Sequence, residues 1–275
     1  MNVSSKLSAF SFANRIIRRR KKNFSLPLAA LFLPLLVACS TQADEPVAVQ
    51  LVRSEMVRNP RSWQLDFKKN IKWDYASGVE LAGIIAAADY YGIPEAEDYF
   101  MAYCDTMVNA DGTIKTYNPN EESLDRIHSA KLFFRALEKT GDEKYRRALD
   151  LVYSQFSHHP RNADGGFWHK RVYPRQMWLD GLYMGEPFYA QYVETFADEL
   201  GDSAVQAARS DIACQFITCA RHTFDPATGL FRHAYDDARQ QLWADSLTGQ
   251  SPHCWGRALG WFAMALVDAM DFLPA

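Results

Sequence analysis

From Val47 onward, apolar residues recur at helical spacing and hardly ever alternate in the manner of a strand. Ala96, Tyr99, Phe100, Tyr103 and Met107 share one helical face, as do Leu149, Val152 and Phe156, and Leu259, Phe262, Leu266 and Leu273. The pattern predicts an all-α body of roughly seven or eight helices. Its breaks are of two kinds. Tyr91-Gly92-Ile93-Pro94, Thr140-Gly141-Asp142 and Leu200-Gly201-Asp202 read as tight joints, in which glycine closes one helix and proline or aspartate opens the next. Long links at 109–123, 158–175 and 223–253 alternate with them. Short turns at one end and long loops at the other describe stacked αα-hairpins. Pro187, inside the helix that begins near Gln176, predicts a kink or a restart.

An internal repeat fixes the phase of the hairpins. Gly141, Asp142, Ala148, Gln155 and Phe156 recur sixty residues later as Gly201, Asp202, Ala208, Gln215 and Phe216. Each of these helices is followed by a loop with Phe-x-His, Phe167 to His169 and Phe231 to His233. Each loop leads to a helix opening on Trp-x-charged, Trp178 with Asp180 and Trp255 with Arg257. Equivalent positions in one array lie at the same end, so both histidines, both tryptophans, Asp180 and Arg257 should crowd one rim. By the same phase, Trp73-Asp74-Tyr75 and Leu124-Asp125-Arg126 open earlier helices there. Polar and aromatic residues gathered at inner-helix starts favour closure into a toroid around a central pocket over an open solenoid, although seven or eight helices are too few for six hairpins.

At 275 residues and 48% hydrophobic, the chain can bury one sizeable core. The net charge of -3 hides an asymmetry: seven of the 30 basic residues and none of the 33 acids fall in the first 39 positions. The acidic remainder argues against nucleic acid as a partner. The leader itself has a basic stretch ending at Lys22, an apolar run from Leu26 to Ala38 and then Leu36-Val37-Ala38-Cys39-Ser40. This reads as an export signal. The run is well short of the roughly 20 residues a membrane span needs, and it contains Pro27 and Pro34. Leu-Val-Ala-Cys resembles a lipobox, which makes Cys39 the expected lipidation site of a membrane-anchored, exported lipoprotein; cleavage by ordinary signal peptidase is the alternative. The expected organisation is a signal over 1–39, a tether over 40–46 and a helical domain over 47–275. Cys104, Cys214, Cys219 and Cys254 match no zinc spacing, and Cys214 and Cys219 sit on an apolar helix where buried free thiols are common.

Asp180 beside Trp178 has the makings of a general acid and base, since an aromatic neighbour excludes water from the carboxyl while the helix N-terminus opposes the resulting shift. The plainer reading is an acidic first-turn residue complementing the helix dipole. Asp125 could be chemical or an N-cap. His169 and His233 could be metal ligands, but their loops supply no matching carboxylate pair or cysteine, so hydrogen bonding to a sugar hydroxyl fits better. Trp178, Trp255 and Trp261 offer flat faces for a sugar ring, with a core role open for Trp261. Arg257 suits an anionic group or a salt bridge to a neighbouring acid.

Gly165-Gly166-Phe167-Trp168-His169-Lys170, Gln176 to Met184, and Ser251-Pro252-His253-Cys254-Trp255-Gly256-Arg257-Ala258-Leu259-Gly260-Trp261 resemble signatures of the unsaturated rhamnogalacturonyl hydrolases of glycoside hydrolase family 105, relatives of the family 88 unsaturated glucuronyl hydrolases. Lys72-Trp73-Asp74-Tyr75 fits as well, and the similarity runs from Val47 to the C-terminus. The resemblance implies an (α/α)6 barrel and a substrate with a 4,5-unsaturated galacturonate at its non-reducing end, as pectin lyases produce. It matches Asp180 to the acid/base position and Asp125 to a second important aspartate. His169, His233, Trp178, Trp255, Arg257, Trp261 and Tyr75 match positions lining the pocket. No metal or organic cofactor is implied. Relatives carry further C-terminal helices, so an incomplete barrel is expected for a chain ending at Ala275. Two competing readings are action on unsaturated glucuronyl products of glycosaminoglycans and a truncated, non-catalytic carbohydrate-binding lipoprotein.

Overall fold

The computed structural model describes residues 45–274; the leader, Cys39 and most of the tether lie outside them. Nine α-helices are present among the described residues: α1 (Val47–Arg58), α2 (Tyr75–Tyr91), α3 (Glu95–Met107), α4 (Leu132–Thr140), α5 (Glu143–Ser154), α6 (Leu179–Thr195), the single turn α7 (Ala197–Leu200), α8 (Asp202–Thr223) and α9 (Gly256–Met270). The expected joints are where the sequence puts them. Gly92 and Gly141 end α2 and α4 in the left-handed region, at φ 72° and 66°, where a side chain would be strained. Asp142 then caps α5 by accepting the Lys144 N–H at 2.9 Å. Thus α4–α5 and α6–α8 are the two hairpins that the repeat predicts.

Two short antiparallel ribbons supplement the helices: β1 (Gln176–Trp178) with β4 (Ala234–Asp236), and β2 (Phe224–Asp225) with β3 (Leu230–Phe231). Runs of two or three residues are too short to leave an alternation in the sequence. The β1–β4 ribbon matters because it ties the first long rim loop to the last.

At the centre lies α6, packed on α8, α9 and the 3-10 turns that precede α4. Fourteen of its seventeen residues are buried, so it is covered on all sides, as an inner helix must be. Of the kink or restart expected at Pro187, a restart does not occur: the helix is continuous from Leu179 to Thr195. The proline removes a donor that the Tyr183 carbonyl would otherwise receive, and His128, buried in a 3-10 turn, sets its Nδ1 3.4 Å from that oxygen. Burial, with the Lys131 charge adding to it, pushes the His128 imidazole down to about 3, so the ring is a neutral donor.

The repeat also carries its own fastenings. Gln155, at the end of α5, donates to the Ser123 carbonyl at 3.2 Å and accepts from Tyr117 Oη at 2.8 Å. Its counterpart Gln215 in α8 accepts the Phe167 N–H at 2.8 Å and donates to the Gly165 carbonyl at 3.1 Å. Each buried glutamine pins the rim loop of its own hairpin to the outer helix. Cys219 is buried as expected, but Cys214 is exposed: it lies five residues back, on the outward face of α8.

Close approach of α2 to the turn at His128–Lys131 depends on Gly78. A Cβ there would lie 2.3 Å from Ser129 Oγ and 2.7 Å from Ser129 Cα. Gly78→Ala is therefore expected to lower stability by about 1–3 kcal/mol, checked by urea denaturation, with an unchanged midpoint counting against this packing.

Candidate active site

The expected crowding at one rim is present, and backbone hydrogen bonds create it. His169 donates its N–H to the Gln176 carbonyl at 2.8 Å and accepts the Leu124 N–H at 3.1 Å, which joins the Asp125 turn to the strand before Asp180. The Leu179 N–H donates to the His233 carbonyl at 3.0 Å, and His233 in turn donates to the His253 carbonyl at 3.0 Å. Four segments distant in sequence thereby meet around the N-terminus of α6. Trp73, fully buried against Phe133, secures the Asp125 turn by donating its indole N–H to the Arg126 carbonyl at 2.7 Å.

Asp180 is the second residue of α6, after the N-cap Trp178. Its side chain is 9% exposed, and Oδ2 has no hydrogen-bond partner. Burial pushes its carboxyl up to about 6; its own backbone N–H, Arg257 and Lys170 pull the other way, and Asp125 adds to the rise. The helix start thus restrains a shift that desolvation dominates. A carboxyl in this state can both hold and release a proton near neutral pH.

Asp125 is no N-cap. It lies within a 3-10 turn, Leu124–Arg126, with one oxygen 3.3 Å from His169 Nε2 and the other in a close ion pair with Lys170 Nζ. Burial pushes the His169 imidazole down to about 4, partly offset by Asp125, so the ring is neutral. With Nε2–H directed at Asp125, Nδ1 is the bare nitrogen, and it is buried without a partner. It abuts Gly181, where a Cβ would lie 3.1 Å away. His169 stacks on Trp178 at 4.5 Å, and Trp178 stacks on Tyr173 at 5.2 Å, so the indole is held between two rings.

The second rim segment meets the first edge-on. His233 lies 6.1 Å from Trp178 and 6.4 Å from Trp255, ring to ring, and its Nδ1 is 2.7 Å from Ser251 Oγ. Burial moves its imidazole down as well. Trp255 is 40% exposed, with the Arg257 guanidinium 3.9 Å over its ring. Trp261 stacks on Tyr183 at 4.8 Å and meets Tyr75 edge-on at 6.5 Å, which makes it part of a partly buried aromatic wall. The Tyr75 hydroxyl is moved up by burial first and then by Asp125, while Arg257 and Lys170 oppose the rise. All nine proposed site residues therefore belong to one cluster. Among the described residues no group of three His, Cys, Asp or Glu side chains is placed to hold a metal ion.

Sequence reasoning missed two members. Lys170 directly follows His169 yet pairs with a carboxylate forty-five positions away. Tyr183 falls one helical turn after Asp180, a spacing that could have placed it on the same face.

The sequence profile of Glycosyl Hydrolase Family 88 matches residues 47–275, the whole of the helical body. The chain belongs to that family. A solved family 105 glycoside hydrolase of C. acetobutylicum is 38% identical, with a TM-score of 0.72 over 82% of this chain and 59% of its own. The unsaturated rhamnogalacturonyl hydrolase YesR of Bacillus subtilis is 28% identical over 224 residues, 78% of this chain and 56% of YesR. Protein Atu3128 of Agrobacterium fabrum is 44% identical over 92 residues, 33% of this chain and 36% of its length. A possible family 105 member from Klebsiella pneumoniae, 20% identical with a TM-score of 0.61, shares the fold. The all-α hairpin architecture of the chain is thus that of the family 88 and 105 toroids. Even so, it spans little more than half the length of YesR or of the clostridial enzyme.

Proposed function

We propose that this family 88 protein is a hydrolase that removes a 4,5-unsaturated galacturonate from the non-reducing end of rhamnogalacturonan oligosaccharides. The observation that supports this best is Asp180: a nearly buried carboxyl at the start of α6, with one unpartnered oxygen, a pKa raised to about 6, and Arg257 and Lys170 near enough to act on it. In the reaction, Asp180 protonates C4 of the vinyl ether, leaving positive character on C5 and the ring oxygen. Water adds at C5 and gives its proton to the carboxylate just formed. The hemiketal opens and the aglycone leaves. One carboxyl serves twice, so the paired-carboxylate geometry of ordinary glycosidases is not required. Arg257 is suited to the substrate carboxylate, Trp178 and Trp255 to the ring faces, and Asp125 with His169 to the ring hydroxyls.

The test is incubation with unsaturated rhamnogalacturonan disaccharide and with unsaturated glucuronyl disaccharides. Consumption of the conjugated alkene, followed by loss of its ultraviolet absorbance, on the first and not on the second supports the assignment. The reverse preference moves it to glycosaminoglycan products. Saturable binding with no loss of absorbance on either leaves only carbohydrate recognition.

Export and lipid attachment at Cys39 are part of the same proposal. Among the described residues no helix is long and apolar enough to cross a membrane, and the proposed attachment is through the lipid on Cys39. Cys39→Ala is expected to abolish labelling by radioactive fatty acid and to move the protein from the membrane to the soluble fraction. Labelling that persists in the variant would sink the idea.

A further inference from the structure

Behind the β1–β4 ribbon, on the face away from Asp180, lies an open cavity of about 310 Å³. The register pairs Trp178 with Ala234 and Met177 with Tyr235, and successive side chains point to opposite faces. Trp178 stacks on His169 in the candidate active site, whereas Tyr235 turns toward α8 and stacks on His222 at 4.0 Å with rings 6° apart. The volume is at the small end of small-molecule sites, about 300–1,000 Å³.

Its lining carries two arginines and several hydrogen-bonding groups. Arg221 at the end of α8 and Arg239 in the last long loop both border it, with Thr248 and Gln250 beside them. Neither guanidinium is engaged in an ion pair among the described residues, although Arg239 is near enough to Asp245 to lower its carboxyl. The acid that lines the cavity, Asp237, is already paired with Arg175 at 2.7 Å, and His222 is paired with Asp164. Both arginines are exposed at the mouth, where an incoming anion meets them without displacing an ion pair.

The loop that presents Arg239 is built with care. The Asp236 carboxylate accepts the N–H groups of Ala238, Gln240 and Gln241 at 2.8–2.9 Å, and this holds Arg239 at φ 56°. Glycine or asparagine is the usual occupant of that region, so an arginine there carries backbone strain.

We propose that this cavity is a second carbohydrate site, which takes the carboxylate of a uronate residue on Arg221 and Arg239 and its hydroxyls on Thr248 and Gln250. The choice of uronate rests on the proposed function; the anion preference rests on the cavity alone. Its place behind Trp178 would let an oligosaccharide bind the protein without occupying the reaction centre.

The test uses saturated digalacturonate, which has no alkene to hydrate, in isothermal titration against the full chain. Arg257→Ala isolates the second site by removing the cation of the first. In that background Arg221→Gln and Arg239→Gly are each expected to weaken binding about tenfold, the loss of a charge-assisted hydrogen bond. In the otherwise wild-type chain they should leave turnover of an unsaturated disaccharide unchanged. Arg239→Gly should also raise the melting temperature, because glycine relieves the left-handed backbone, so weaker binding in a more stable protein separates recognition from folding. Neutral digalactose should not bind. The proposal is overturned if Arg257→Ala alone abolishes binding, if both arginine variants bind as before, or if no saturable binding occurs. A wild-type protein that binds the saturated sugar yet spares the alkene would defeat the proposed function and leave this site standing.

Discussion

Asp180→Asn is expected to lower kcat on the unsaturated disaccharide by about 10²–10⁴-fold, with KM little changed. An asparagine keeps the shape and the helix start but cannot give a proton to C4 or take one from water. The wild-type profile carries a second signature. Because burial has moved the acid of the free enzyme up to about 6, its protonated form is depleted as pH rises through that value, so kcat/KM should decline on the alkaline side of about pH 6. A variant with wild-type turnover, or a flat profile from pH 5 to 8 (about the range where the acid should titrate), would remove Asp180 from the proton transfers. Hydrolysis of the same disaccharide at saturating and limiting concentrations supplies both readings.

A second large effect is expected from Glu186, two turns further along α6 and no part of the reaction. It is 1% exposed, and its Oε2 has no partner. Burial drives its carboxyl well above the ordinary range; the nearby Asp211 adds to the rise and Arg161 opposes it. Arg161 is already committed to Asp211 through two hydrogen bonds at 2.6 and 2.7 Å, and so neutralises the wrong acid. A group whose proton is held more tightly folded than unfolded gives stability that is full below the unfolded pKa and lost as pH rises through the folded one. The loss amounts to about 1.4 kcal/mol per pH unit for each such group. Glu186→Gln, which keeps the volume and removes the titration, should therefore match wild type near pH 4 (roughly the unfolded carboxyl range) and exceed it increasingly at higher pH. Urea denaturation across that range measures the gap. Equal slopes in the two proteins would mean that Glu186 finds a partner on folding. Asp180→Asn should show a weaker version of the same stabilisation, since its carboxyl shares the direction of shift.

How much of this was legible in the sequence depends on how far apart the interacting residues lie. Gly92, Gly141 and Asp142 act within a turn or two of themselves, so the hairpin ends could be read directly. The gathering of Trp178, His169, His233 and Trp255 could be read because the chain repeats, and equivalent positions in an array share an end. That the helix continues past Pro187 could not be read locally, because the group that approaches the carbonyl the proline leaves free is His128, fifty-five residues away. For Asp125 the sequence left a cap and a chemical role both open, because caps are local whereas its partners His169 and Lys170 arrive from the next rim loop. The burial of Glu186 was invisible for a related reason: an acid on a helix is ordinarily a surface residue, and only an inner helix packed on every side makes it otherwise.

The paired glutamines have a consequence for how such a chain can be recombined. Gln155 and Gln215 each hold the loop that comes before their own hairpin, so the unit is a loop followed by its inner and outer helix, 109–155 and then 158–223. A chimera spliced between 155 and 158 keeps both clasps whole. One spliced at the tight turns of Gly141 or Gly201 separates a rim loop from its anchor, although those turns look like the natural seams. Grafting a new sugar preference onto this scaffold therefore means exchanging units that run from a rim loop to the end of its outer helix.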